Sequence, residues 1–332
     1  MPRETKPLSN PHIVVVSLLV AGLAACAGGP MQRGDISFNP VVANPAFSIG
    51  EGPVVAVDEA HSNYHRIGAR YQAFADLLRQ DGYVVRASTE PFGNDTLRDV
   101  DILVISNALA EVNIDNWSLP TPSAFSETEV SAVSTWVEEG GALMLIADHM
   151  PFPGAVENIA AAFGVHFSNG FAVDHPELGV SEDEIEEHLG ELTFRRSAGS
   201  LADHPITNGV RAAGTPVDFV TSYTGSAFQV DEDQKAQPLL IFSPSAKSLE
   251  PSAAWEFTSE TNSRDVGEWF QGAVLEVGQG RIAVFGEAAM FTAQLSSNGT
   301  SMGMNTAGAE QNDEFLLNLV HWLSFLDAPR HK

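Results

Sequence analysis

Acidic and imidazole side chains stop several short apolar runs in this sequence. Asp58, Glu59 and His61 close VVAVD, Asn107 follows DILVIS, Asp148 and His149 follow ALMLIA, and Glu287 follows RIAVFG. If those runs are strands of one parallel sheet, their polar ends gather at the edge where such sheets bind ligands. Asp58, His61, Asp148 and His149 would then form a set of two carboxylates and two imidazoles, the non-thiolate donors that suit a divalent metal such as zinc. A bound metal with one position left to water would generate a hydroxide nucleophile, with Glu287 as base and His149 as a second catalytic group. The chemistry this predicts is metal-dependent hydrolysis of a small polar or carbohydrate-like substrate.

Each of these residues also has a plainer reading. Asp58 can cap the following segment while His61 and Asn63 bond to loop backbone. His61 and His65 share a face only if their segment is helical, and Ser62 breaks the H-E-x-x-H order of zinc proteases. Asp148 can be satisfying turn amides ahead of Pro151 and Pro153. Asp203-His204-Pro205 reads as a surface turn, as does Asp174-His175-Pro176, although the latter is placed to reach over the site. Gly299-Thr300-Ser301-Met302-Gly303 fits G-x-S-x-G but sits in a Ser-, Asn- and Gly-rich stretch instead of between a strand and a helix, so Ser301 is not read as a nucleophile. Phosphate-loop and G-x-G-x-x-G patterns are absent, which argues against a nucleotide cofactor.

The elements that must position these residues follow from periodicity. Apolar, β-branched runs at 54–58, 83–87, 101–106 and 142–147 alternate with helical spacing at 71–80 and 126–139, the latter opened by a Ser126/Glu129 capping box. A helix over 157–163 ends at Gly164. This alternation predicts an α/β fold with a doubly wound, mostly parallel sheet. Near the C-terminus, GAVLEV and RIAVFGE flank Gly278-Gln279-Gly280 and predict an antiparallel hairpin, and 314–326 predicts a buried closing helix. Residues 168–200 read as an insertion whose acidic stretch SEDEIEEHLGEL forms one short exposed helix, a solvated face or a lid.

Composition restricts partners. The 332 residues carry 17 Lys plus Arg against 43 Asp plus Glu, a formal charge of −26, so the surface repels phosphates and argues against nucleic acid. Arg3 and Lys6 precede an apolar run over 13–25 that is short for a permanent span. Leu23-Ala24-Ala25-Cys26 closes it and resembles the lipobox of bacterial lipoproteins. That resemblance implies a signal over 1–26, lipidation of Cys26, and a membrane anchor in the bacterial envelope, with Ala27 favouring the outer membrane and a periplasmic orientation. Because Cys26 is the single cysteine, a lipidated chain has no thiol left for a disulfide or a nucleophile. A flexible linker is expected over 27–48, then one domain over 49–328.

The ordered segments VVAVDEAHSN, DILVISNA, VEEGGALMLIADH, DHPITNGV, EVGQGRIAVFGEAAMF and QNDEFLLNLVHWL resemble the class I glutamine-amidotransferase-like superfamily, in its non-amidotransferase branch of trehalose-utilisation-type and bacterial lipoprotein domains. The family's amidotransferases carry a nucleophilic Cys where this chain has Asp148 and His149, so glutamine amidotransfer is not expected. The resemblance implies a site role for His149. It also raises the alternative of a non-catalytic ligand-binding or scaffold module that lost the nucleophile.

Overall fold

The computed structural model describes residues 32–174, 190–211 and 214–327. Cys26, His175 and the helix expected within 181–192 fall wholly or mainly outside these residues.

Four strands lie within a residue of where their apolar runs place them: β1 Val54–Asp58, β2 Val84–Ser88, β3 Ile102–Ser106 and β4 Ala142–Ile146. Five further strands complete a nine-stranded mixed sheet: β5 Val165–Phe167, β6 Phe228–Val230, β7 Gln237–Ile241, β8 Phe270–Val277 and β9 Gly280–Phe285. Its order is β2-β1-β3-β4-β9-β8-β6-β5, with β7 also paired to β8. The first five strands in that order are parallel, and β9 lies on β4 with Phe285 opposite Ile146. Beyond them every pairing is antiparallel, starting with the β8–β9 hairpin. The architecture is thus α/β with a large mixed sheet, as the alternation and the hairpin predict in outline.

Side chains alternate across each strand, so the sheet separates two cores. Val55, Val57, Met144, Ile146 and Phe285 pack with Phe74 and Leu77 of α1 (Gln72–Gln80) and with Phe315 and Leu319 of α3 (Asn312–Leu323). Ala56, Leu103, Ile105, Leu143, Leu145 and Val284 face the other way, toward Val133 and Val137 of α2 (Glu127–Glu138). Helix α2 starts where its capping box places it: Ser126 Oγ accepts from Glu129 N, and Glu129 returns a carboxylate to Ser126 N. Helix α3 is buried on nearly every face, and its His321 Nε2 meets Asp81 Oδ2 at 2.6 Å behind α1.

Two expectations need correction. From Gln32 onward the expected linker is docked rather than flexible. Arg33–Gly34 pairs antiparallel with Ala293–Leu295, Phe38, Val42 and Phe47 pack on the core, and Ala46 N donates to Asp81 Oδ1. Polar composition hid these few apolar anchors, each of which favours burial over a free chain. The described ends of the 168–200 segment are also built in. Phe171–Val173 pairs with Lys247–Glu250, Glu191–Arg195 pairs with Phe219–Tyr223, and Phe171 is fully buried.

Candidate active site

Loops at the carboxyl ends of β1, β3, β4 and β9 draw the strand-end polar residues into two neighbouring clusters. In the first, Asp58 and His61 meet a residue the sequence had placed only in a helix cap. His61 Nδ1 lies 2.9 Å from both oxygens of Asp58, and His61 Nε2 lies 2.8 Å from Glu129 Oε1. Asn63 ties the loop down by donating to Asp58 Oδ2 and Ser106 O while accepting from His61 N. Phe92 and Phe125 flank the imidazole, with ring centroids at 4.8 and 4.4 Å. Burial by itself would lower the His61 pKa, but the hydrogen bonds and charges of Asp58 and Glu129 outweigh it and hold it above its ordinary value. The result is an imidazolium that cross-links two carboxylates.

The second cluster lines a cavity of about 70 Å³ that takes in Asp148, His149 and Glu287 with His65, Asn107, Thr224 and Gln294. Tyr64, Trp117 and Trp255 form its aromatic walls. His149 stacks on Phe171 at 4.5 Å with a 10° interplanar angle, and its Nδ1 lies 2.7 Å from Met150 O. A carbonyl only accepts, so Nδ1 carries the proton. Burial lowers the His149 pKa despite the nearby charge of Asp148, so the ring is neutral near pH 7 and Nε2 keeps its lone pair. No described residue bonds to that nitrogen.

Asp148 and Glu287 form a buried carboxylate pair. Glu287 accepts from Ala289 N at 2.5 Å and Met290 N at 2.7 Å, and Asp148 Oδ1 accepts from His149 N at 2.7 Å. Burial, then the charge of Asp148, pushes the Glu287 pKa well above the carboxylate range despite those amides. Burial also raises Asp148. Two acids in one dry site titrate as a pair, so one proton is retained where isolated carboxyls would have lost theirs.

The backbone is strained around this cavity. Asn107 and Thr224 both line it with φ of 50° and 56°, in the left-handed region that a β-branched threonine rarely enters. Asn107 Oδ1 accepts from Asp148 N at 3.0 Å, so the left-handed turn after β3 sets the turn after β4. Strained non-glycine residues concentrate at functional sites.

The predicted residues are therefore assembled only in part. Asp148, His149 and Glu287 share the cavity, whereas Asp58 and His61 belong to the adjoining cross-link. Both His61 nitrogens meet carboxylates of this first cluster, while Asp148 and His149 line the cavity. Among the described residues no three His, Cys, Asp or Glu side chains converge as a metal-ligating group. His65 is not on a helix. It stacks on Tyr71 at 4.6 Å, lies 3.2 Å from Ser106 Oγ, and burial lowers its pKa to about 3. Asp174 is taken by Ser243 N, and His204 caps Pro205–Asn208 by accepting from Ile206 N. His204 is buried, not on the surface as the turn reading had it. Ser301 lies in a short strand, Ser301–Gly303, rather than a strand-to-helix elbow.

Sequence reasoning missed Glu129, Trp117, Trp255 and Gln294 as site residues. For Glu129 the capping box was a visible signal, but its second oxygen's reach to His61 was not. A larger hollow of about 800 Å³ opens at the opposite, amino-terminal edge of the strands, lined by Glu51, Arg98, Asp101, Trp136 and Phe325 among others. The smaller cavity holds the buried carboxylate pair and His149, so it is where acid–base chemistry is set up.

No protein-family model and no curated protein matches the chain. Among solved structures, the mmIFT52 N-terminal domain is similar with a TM-score of 0.54 at 12% identity, over 81% of this chain and 97% of that one. A ThuA-like protein from Bacteroides uniformis ATCC 8492 gives 0.43 at 12% identity, over 86% and 94%. A GMP synthase-type protein from Thermoplasma acidophilum gives 0.41 at 10%, over 82% and 95%. At such identities the likeness speaks to fold alone.

Proposed function

We propose that this chain is an envelope lipoprotein, tethered through Cys26, whose strand-edge cavity hydrolyses a small polar or carbohydrate-like molecule by acid–base chemistry. One observation carries the reading: His149, its Nδ1 held by Met150 O, stands in the same cavity as the buried Asp148/Glu287 carboxylate pair. His149 Nε2 accepts a proton from water as it attacks, and the Asp148/Glu287 pair delivers one to the leaving group. We assign the chain to the glutamine-amidotransferase-like superfamily, with the parallel strands as a doubly wound half, on its ordered motifs and on the β2-β1-β3-β4 order.

The tether bears on the substrate. Gln32 lines the cavity and lies six residues beyond Cys26. An extended chain of that length spans about 20 Å, so a lipid on Cys26 keeps the site close to the membrane surface.

The test is turnover by the full-length chain, purified in detergent, on chromogenic esters, amides and glycosides, beside His149→Gln. Activity that disappears in H149Q supports the reading, whereas equal activity in both proteins removes it. The cavity's size favours a second reading, a non-catalytic ligand-binding module. Its volume of about 70 Å³ falls below the roughly 300–1,000 Å³ usual for small-molecule sites. Ligand binding without turnover of any substrate would select that reading.

A further inference from the structure

The cavity's polar atoms do not balance. Among the described residues its lining includes two carboxylates and neither lysine nor arginine. Arg70 is the nearby cation, but it lies over the Tyr64 ring at 3.8 Å and donates to Tyr64 O, outside the lining. Two of its hydrogen-bond acceptors also stand without a partner among the described residues. Gln294 is 1% exposed and its Oε1 is buried with no partner. The amide's orientation is determined by its neighbours: Thr292 Oγ1 donates to Ala289 O at 2.8 Å, so toward Gln294 it only accepts, and Gln294 Nε2 must be the atom 2.9 Å away. His149 Nε2 is a second acceptor with no partner among the described residues, and beside it lies the Asp148 carboxyl, whose Oδ1 accepts from His149 N.

We propose that this cavity binds the ammonium end of a small amine-bearing ligand. Asp148 is its counter-ion, Gln294 Oε1 and His149 Nε2 take its remaining hydrogens, and Tyr64, Trp117 and Trp255 wall it in. A primary ammonium has three donors and no acceptor, which matches those two open acceptors and the carboxylate beside them. Buried acceptors left empty are costly, so a ligand that fills them gains more than one that does not. The aromatic walls favour an ammonium, because π faces attract it. A neutral polyol supplies donors but leaves Asp148 without a counter-charge. The inference rests on the cavity being the functional site and names the chemical class it accepts.

Calorimetry on the full-length chain in detergent, with ethanolamine and the like-sized but uncharged ethylene glycol as probes, tests it. Ethanolamine is expected to bind, ethylene glycol to bind at least tenfold more weakly, and Asp148→Asn to abolish the difference. Gln294→Leu, which leaves the carboxylate pair intact, is expected to weaken ethanolamine about tenfold and provides the measurement should D148N fail to fold. Equal binding of both probes, no binding of ethanolamine, or stabilisation by zinc chloride alone overturns the proposal. Hydrolysis of neutral substrates without ethanolamine binding overturns this inference and leaves the hydrolase reading in place. Ethanolamine binding without turnover does the reverse.

Discussion

Glu129 reaches from the first turn of α2 to within 2.8 Å of His61 Nε2, so the carboxylate that closes a helix cap also fixes the loop after β1. It accepts from Phe92 N as well. Glu129→Ala removes the cap and leaves a buried imidazolium with one partner instead of two. Breaking such a pair costs about 3 kcal/mol. Urea denaturation of E129A is expected to show a loss of that order, and a change below ~1 kcal/mol would mean that the cross-link carries no weight.

The same cross-link sets a pH dependence. The folded His61 pKa is raised above its unfolded value, so its contribution to stability is complete below pH ~6.5 and disappears as pH rises through the folded pKa. His61→Phe is expected to flatten the stability profile across that interval, as read from denaturation midpoints at successive pH values. An unchanged slope counts against a charged His61.

Glu287 acts in the opposite range. Its raised pKa means that the folded state holds a proton the unfolded chain has released, so stability falls as pH climbs from about 4.5 toward the folded value. Glu287→Gln cannot titrate. Whatever it does to absolute stability, through the Ala289 and Met290 amides, the slope above pH ~4.5 is expected to shrink.

Much of this arrangement was legible beforehand, and the boundary has a physical cause. The runs VVAVD and ALMLIA announce strands because β-branched and apolar residues crowd into a few positions, and what stops them must lie at a sheet edge. That logic located Asp148, His149 and Glu287 together. It did not reveal that both His61 ring nitrogens meet carboxylates, one of them 68 positions away. Nor did it find Trp117 and Trp255, which reach the cavity from irregular loops where Ala254 N donates to Trp117 O and no periodicity marks the meeting. The short antiparallel strands at 165–167 and 228–230 were invisible for a related reason, being too brief for alternation to register.

His149 offers a direct check on the acid–base assignment. Burial lowers its pKa and the charge of Asp148 partly restores it. In NMR titration of the ring Cε1–H, His149 is expected to titrate below pH 6.5, and lower still in Asp148→Asn. A midpoint above 7 would make it mainly a cation at neutral pH and unfit to accept a proton from water.

The docked N-terminal segment links stability to the site. Arg33–Gly34 pairs with the short strand that carries Gln294, Asp35 N donates to Ala293 O, and Gln32 itself lines the cavity. Deleting residues 1–48 removes those hydrogen bonds and the packing of Phe38, Val42 and Phe47. A chain starting at Gln32 keeps them all. Compared with that longer form, the shorter one is expected to unfold at lower urea and to bind cavity ligands more weakly, because the strand bearing Gln294 loses its neighbour. If the two forms unfold together and bind alike, the segment is only a leash, and the site owes nothing to it.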